Sequence, residues 1–166
     1  LGVSKEKDNI VTNLTKVPIK DKKNNAPKFD VRVKNSVHQA DLLFLPKDNG
    51  YRYALVVVDA ATRSMDAQPL KSKQPKEVLA AFKKIYKRKY LSWPKSFLHV
   101  DPGSEFKSVV KEEFNKKGII VRVGKTGRHR QQALVEKMNG YIGKTIMKRQ
   151  TAEEMITHET SREWIG

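Results

Sequence analysis

Val37-His-Gln-Ala-Asp-Leu-Leu-Phe-Leu45, Pro46-Lys-Asp-Asn-Gly50 and Tyr51-Arg-Tyr-Ala-Leu-Val-Val-Val-Asp59 form two apolar runs joined by a turn, and they decide the architecture. Val37, Gln39, Asp41, Leu43 and Leu45 alternate with His38, Ala40, Leu42 and Phe44, a period-two strand pattern. Asn49-Gly50 is a strong hairpin signal, because a two-residue I′ turn needs positive φ at both central residues. The second run reads as a buried strand. Ala60 to Arg63 then turn the chain into a third strand ending near Leu70, so an antiparallel meander is expected.

Downstream the period changes. From Gln74 to about Tyr90, Val78, Leu79, Phe82, Ile85 and Tyr86 make a helical stripe with lysines opposite, and Ser92-Trp-Pro94 stops it. Ser96 to Val100 is a short strand ending at Asp101. Gly103 to Lys117 reads as a helix with Gly118 as the residue after its C-cap. Ile119 to Val123 is a fifth strand, Gly124 to Arg130 a basic loop, and Gln131 to Arg149 a last helix. The order β-β-β-α-β-α-β-α predicts an α/β fold, a mixed sheet with helices on its faces. Upstream, residues 1–30 are polar and aperiodic, with Pro18, Pro27 and Asp21-Lys-Lys-Asn-Asn25, and read as a basic extension or linker to a domain over 31–166.

The chain has 166 residues, enough to bury a core, and no cysteine, which excludes disulfides and thiolate zinc. His38, His99, His129 and His158 lack short ligand spacing, which argues against zinc held by histidine. No apolar run reaches the length of a membrane span and no signal peptide is visible, so an intracellular protein is expected, or a piece trimmed of its ends. Thirty-four Lys and Arg against eighteen Asp and Glu give +16. A basic surface of that size attracts polyanions, nucleic acid first; a merely solubilising lysine-rich surface is the plain alternative.

Against that background three acidic residues stand out. Asp41 interrupts an apolar strand on the face of Val37 and Leu43, where an ionised carboxylate is costly without a positive partner, unless the strand is frayed there. Asp101 lies where a strand stops, a common place for sites in such sheets, although an Asp before Pro102-Gly103 also opens turns. On a helical wheel Leu134, Met138, Tyr141, Ile142 and Thr145 share the side expected to pack on the sheet. Glu136 is expected opposite, grouped with Gln132, Asn139, Gly140 and Gly143. Two glycines inside a helix cost about 1 kcal/mol each relative to alanine. They suggest close approach of another backbone, DNA's or that of a neighbouring element. Three carboxylates on a strand centre, a strand end and a helix suit Mg²⁺, with Mn²⁺ as a substitute, and two such ions can drive in-line attack on a phosphodiester. Asp59 reads as a turn-forming residue, Asp66 as a surface one, and Glu105 as a substrate contact rather than a third ligand.

His38-Gln-Ala-Asp41, Val100-Asp-Pro-Gly-Ser-Glu-Phe106 and Gln132-Ala-Leu-Val-Glu-Lys-Met-Asn139 together resemble the catalytic core of retroviral-type integrases. The 34 residues between Asp101 and Glu136 are close to the usual spacing of that family, about 35. Leu42 to Tyr51 and Leu55 to Arg63 look most like the integrases of Maverick/Polinton elements and virophages. The resemblance spans roughly Ser36 to Gln150. It implies a ribonuclease H-like fold, with Asp41, Asp101 and Glu136 as catalytic metal ligands. It also implies DNA contacts at Ser104, Gln132 and Asn139, and phosphate contacts from Lys125, Arg128, Arg130, Lys137 or Lys144.

Departures are visible. Pro102 replaces the usual Asn, Glu105 stands where Asn is frequent, and Gly140 and Gly143 occupy positions where many relatives carry lysine. The flanking domains of such enzymes and the final helices of a complete core are not seen, so a C-terminally truncated core is expected. By resemblance the partners are element ends and target DNA, with assembly as a homo-oligomer. The setting would be the nucleus of a eukaryotic host, a viral replication compartment or a virion. Two other readings stay open: a ribonuclease H-like nuclease that cannot join DNA, and a basic DNA-binding assembly protein that has lost catalysis.

Overall fold

A computed structural model describes residues 31–124 and 133–165. The strands are β1 (Val37–Asp48), β2 (Tyr51–Asp59), β3 (Met65–Leu70), β4 (Phe97–Val100) and β5 (Ile120–Val123). The helices are α1 (Pro75–Lys87), α2 (Val109–Lys116) and α3 (Ala133–Thr157). The sheet order is β3-β2-β1-β4-β5. β1 pairs antiparallel with β2, and β2 with β3, which is the expected meander. β4 joins β1 in parallel, and β5 joins β4 likewise. Asn49 and Gly50 take φ of 47° and 86°, as a two-residue I′ hairpin requires.

Strand alternation splits the sheet into two faces. On one, Ala40, Leu42, Leu55, Val57, Leu98 and Val100 pack under α1 and α2, with Phe82 and Phe114 edge to face at 5.0 Å. On the other, Val56, Val58 and Leu43 meet Val135, Met138 and Ile142 of α3. Asp41, two residues before Leu43, belongs to this second face.

Three expectations change. The helix expected over Gly103 to Lys117 is broken: a 3-10 turn, Ser104–Phe106, precedes α2, and Ser108 at φ 57° resets the chain between them. The break lets Phe106 drop into the core beside Phe82 before Val110 and Phe114 bury along α2. α2 does end as expected: Gly118 takes φ +74°, with its N–H on Asn115 O and the Ile119 N–H on Phe114 O, a Schellman closure. α1 stops at Lys87, ahead of the Ser-Trp-Pro segment, with Lys89 at positive φ.

α3 runs on to Thr157 and its buried stripe is rotated from the one expected. Val135 is its fully buried residue, whereas Tyr141 and Thr145 are exposed. The wheel located the apolar cluster by counting all apolar residues, but the helix meets the sheet only through the line of Val135, Met138 and Ile142. Beyond α3 the chain returns to the β1–β2 hairpin, where the Trp164 and Ile165 N–H groups donate to one oxygen of Asp48, each at 2.8 Å.

Candidate active site

The second face of β1 builds the site. Its residues Gln39, Asp41 and Leu43 point at α3, and each makes a different bond to it. The Val135 N–H donates to Gln39 Oε1 at 3.2 Å. That N–H lies at the described beginning of α3, so Gln39 ties this end of the helix to β1. Asn139 Nδ2 donates to Asp41 Oδ2 at 2.8 Å. Leu43 packs into the apolar cluster beyond. Glu136 is thereby held between two points of attachment, one residue after the first and three before the second. It lies beside the buried stripe rather than opposite it, and its side chain is exposed.

Asp101 follows β4 directly. Ala40 is the register partner of Val100, so the end of β4 lies alongside Asp41. The electrostatics reflect this convergence. The Asp41 carboxyl is pushed up to about 6, first by burial and then by the negative charges of Asp101, Glu136 and Glu105, against the Leu42 N–H that donates to it at 2.8 Å. Among the described residues every charge acting on Asp41 is negative, in a protein that carries +16. Asn139 adds an acceptor of its own, because its Oδ1 is buried without a donor.

Four carboxylates and a spare amide oxygen, with no cationic side chain among the described residues acting on Asp41 to offset them, are donors of the kind suited to a hard cation. Coupling through charge is weaker than coordination, however. Among the described residues no three Asp, Glu, His or Cys side chains stand close enough to enclose an ion as they are placed. The donor chemistry fits a metal, and closing a coordination shell would require the side chains to draw together.

The remaining candidates fall in three groups. Ser104 opens the 3-10 turn after Asp101 and is exposed. Lys137 and Lys144 are exposed on α3, and Gly140 and Gly143 have nothing within 4 Å of where a Cβ would stand. Among the described residues, therefore, no neighbouring element accounts for the two glycines. Lys125, Arg128, Arg130 and Gln132 lie outside the described residues.

Asp59, fully buried, accepts from the Ala61 and Thr62 N–H groups and from the Thr62 hydroxyl, which is a turn-forming role. Asp66 pairs with Arg88 at 3.0 Å on the sheet rim. Sequence reasoning missed Gln39 as a helix anchor and Asn139 as the partner of Asp41. The available signal was a polar residue at every second position of an apolar strand, Gln39 and then Asp41, which implies polar partners on whatever covers that face.

The same arrangement of strands and helices occurs in solved structures. A chain of the simian T-cell lymphotropic virus intasome, determined by cryo-EM in complex with PP2A regulatory subunit B56 gamma, superposes with a TM-score of 0.64 at 18% identity. The fold is ribonuclease H-like. The match covers 78% of this chain and 48% of the intasome chain, so this chain spans about half the length of that one. No family profile and no curated protein matches the sequence. At 18% identity the ribonuclease H-like likeness speaks for architecture, and the chemistry has to be argued from the residues.

Proposed function

We propose that this chain is the catalytic core of an integrase-type polynucleotidyl transferase that processes the ends of element DNA and joins them to target DNA. The observation that carries the reading is that the charges acting on Asp41 among the described residues are all acidic, at the centre of the sheet of a strongly basic protein. A cluster of like charges is unfavourable by itself and becomes useful when a cation enters it. Asp41, Asp101 and Glu136 would hold Mg²⁺, or Mn²⁺ in its place. When bound, such ions activate an attacking oxygen and neutralise the leaving oxygen of a phosphodiester.

The protein's own part is positional. Asn139 holds one oxygen of Asp41, which fixes the carboxylate's rotation, and Gln39 ties the segment of the helix that carries Glu136 to β1. The open side of α3 at Gly140 and Gly143 admits a DNA backbone next to Glu136, with Lys137 and Lys144 available to phosphates. Lys125, Arg128, Arg130, Gln132 and Ser104 extend that surface on the sequence argument alone. On this reading the protein acts as a dimer or larger assembly where element and host DNA meet, in the nucleus, a viral replication compartment or a virion. The Maverick/Polinton and virophage likeness belongs to the same proposal.

The test is strand transfer. A labelled element end incubated with the protein and Mg²⁺ or Mn²⁺ should yield joined product, and chelation or Asp101→Asn should abolish it. Cleavage without joining would favour the nuclease reading. DNA binding with neither activity, unaffected by loss of the carboxylates, would favour the assembly protein.

A further inference from the structure

We propose that the outer face of α1 is a second nucleic-acid surface, a lysine stripe that holds the phosphate backbone of a duplex on the side of the sheet away from Asp41. This rests on the DNA-joining reading above for the identity of the polyanion, and it gives the second of the two DNAs that joining requires a place of its own.

The stripe follows from how α1 is buried. Val78, Ala81, Phe82, Ile85 and Tyr86 face the core. At about 100° per residue, Lys76, Ala80, Lys83 and Lys87 lie opposite them, with Lys84 at their border. All four lysines are exposed, and from Lys76 to Lys87 the stripe runs about 16.5 Å at 1.5 Å per residue. Residues 71–95 hold nine lysines and arginines against a single acid, Glu77, which is half of the chain's net +16. Glu77 is already engaged: it accepts from the Lys71 N–H at 2.7 Å, and from the Ser72 N–H and hydroxyl. Lys83 reaches Glu113 of α2 at 3.3 Å, which marks one edge of the stripe. Lys76, Lys84 and Lys87 meet no carboxylate among the described residues. Beyond Lys84 a groove opens between α1 and the end of β3, lined by Tyr51, Gln68, Lys71 and Ala80. Its rims carry Lys84 and Lys71, whose Nζ stands 5.1 Å over the Tyr51 ring.

Helix electrostatics account for only part of this pattern. Lys84 and Lys87 lie in the last turn, where cations suit the negative end of the helix dipole. Lys76 lies in the first turn, where they do not, and the Lys83–Lys87 and Lys84–Lys87 pairs set like charges beside each other on the helix. A solubilising surface intersperses both signs, as α2 and its end do with Glu112 and Glu113 among Lys111, Lys116 and Lys117. A surface of one sign attracts polyanions. A helix that lies on a membrane buries apolar side chains in lipid, whereas those of α1 are committed to the core and the stripe itself carries none larger than Ala80. α1 packs on the first face of the sheet and Asp41 belongs to the second. A duplex on the stripe is therefore not the one attacked at Asp41 of the same protomer.

Binding of the full chain to a random-sequence duplex, followed from low to high salt, tests this. The triple variant Lys76→Gln, Lys84→Gln, Lys87→Gln keeps helix propensity and should lower the slope of log K against log salt by about two to three units, roughly 0.9 for each phosphate contact. Ala80→Glu removes no lysine but sets a carboxylate in the middle of the stripe, and should weaken binding by about tenfold. An unchanged slope in the triple variant, or unchanged affinity in Ala80→Glu, overturns the stripe. So does a triple variant that keeps the wild-type slope on DNA but loses binding to vesicles containing phosphatidylserine, which would make the partner a membrane. A lowered slope in a chain that joins no DNA with Mg²⁺ or Mn²⁺ upholds the stripe and sinks the joining reading, and an unchanged slope in a chain that does join DNA does the reverse.

Discussion

Asp41 and Asp59 sit on neighbouring strands amid apolar residues, yet the protein treats them in opposite ways. Asp59 is fully buried and accepts from the Asn35, Ala61 and Thr62 N–H groups and the Thr62 hydroxyl, with His38 nearby. Burial alone would raise its carboxyl, but these donors outweigh burial and hold it below the ordinary value. Asp41 is less buried and, among the described residues, has two donors, Leu42 N–H and Asn139 Nδ2, and charged neighbours that are all acidic. A carboxylate whose acceptors are filled belongs to the architecture. One left short of positive charge in the middle of a sheet costs stability, and that cost is the physical reason to look for a ligand there.

The largest effect should separate the two by activity. Asp41→Asn, Asp101→Asn and Glu136→Gln remove a charge but keep size, and strand transfer should fall on the order of 10³-fold, roughly 4 kcal/mol of transition-state stabilisation. DNA binding should survive in each. Folded Asp59→Asn protein should join DNA at close to the wild-type rate. If Asp59→Asn abolishes joining while Glu136→Gln leaves it intact, the third ligand has been assigned to the wrong residue.

Stability should divide them next, with opposite signs. Asp59→Ala strands the buried Asn35 N–H and loosens the part-buried Ala61 and Thr62 donors, and should cost about 2–4 kcal/mol in urea unfolding. Asp41→Asn relieves like-charge repulsion in a partly buried site, so without metal it should be neutral or stabilising by on the order of 1 kcal/mol. A loss at Asp41 as large as that at Asp59 would mean that the Asp41 carboxylate is structural.

The pH dependence sharpens the same contrast, because two buried groups titrate against each other. His38 is lowered to about 4 by burial, despite the pull of Asp59; its Nε2–H donates to Asn35 Oδ1 and its Nδ1 accepts from the Tyr86 hydroxyl. The unfolded chain takes up that proton near 6.5, so the neutral fold loses stability as pH falls from there through 4, by up to about 3 kcal/mol. Asp41 runs the other way. With a folded value of about 6, it binds a proton before the unfolded chain does, so stability is gained as pH falls from 6 toward the ordinary carboxylate range, by about 2 kcal/mol after allowing for partial exposure. In the wild type the two slopes largely cancel. Between pH 6.5 and 4, Asp41→Asn should therefore lose more stability on acidification than the wild type and His38→Gln less, with the contribution of His99, also lowered by burial, common to all three. Parallel curves for the two variants would contradict both environments.

The fold was legible in the sequence because its signals were local. Alternation in residues 37–45 and Asn49-Gly50 specify a hairpin whatever packs on it, and Gly118 marks a helix end through its own φ. What was not legible depended on partners distant in the chain. The rotation of α3 is set by a narrow contact with Val56 and Val58, so counting its apolar residues put Tyr141 on the wrong side. The break at Ser108 follows from the burial of Phe106 under α1, which no helical pattern reveals. In the site, Asp41 and Asp101 were marked by anomaly, a charge in an apolar strand and a strand end. Asn139 and Gln39 look ordinary until α3 is laid across β1.

The smallest effect concerns the open side of α3. Glu136, Gly140 and Lys144 follow at intervals of four and so lie in one row along the helix, Lys144 about 12 Å from Glu136 at 1.5 Å per residue. Gly140 leaves the middle of that row bare and Lys144 is exposed at its far end. A backbone lying along the row with a phosphate near Glu136 would bring another phosphate to Lys144 two turns on. Lys144→Ala should then weaken DNA binding by a similar factor on unrelated sequences and lower the salt slope of log K by about one unit, the signature of one lost phosphate contact. Catalysis at saturating DNA should hardly change, because the lysine acts on the backbone and not at the reacting bond. Gly140→Leu fills the bare step and should weaken binding without altering the salt slope, since it removes room and no charge. If Lys144→Ala leaves the slope unchanged while Gly140→Leu binds DNA as well as the wild type, DNA does not lie along this row, and the open face of α3 has to be read without it.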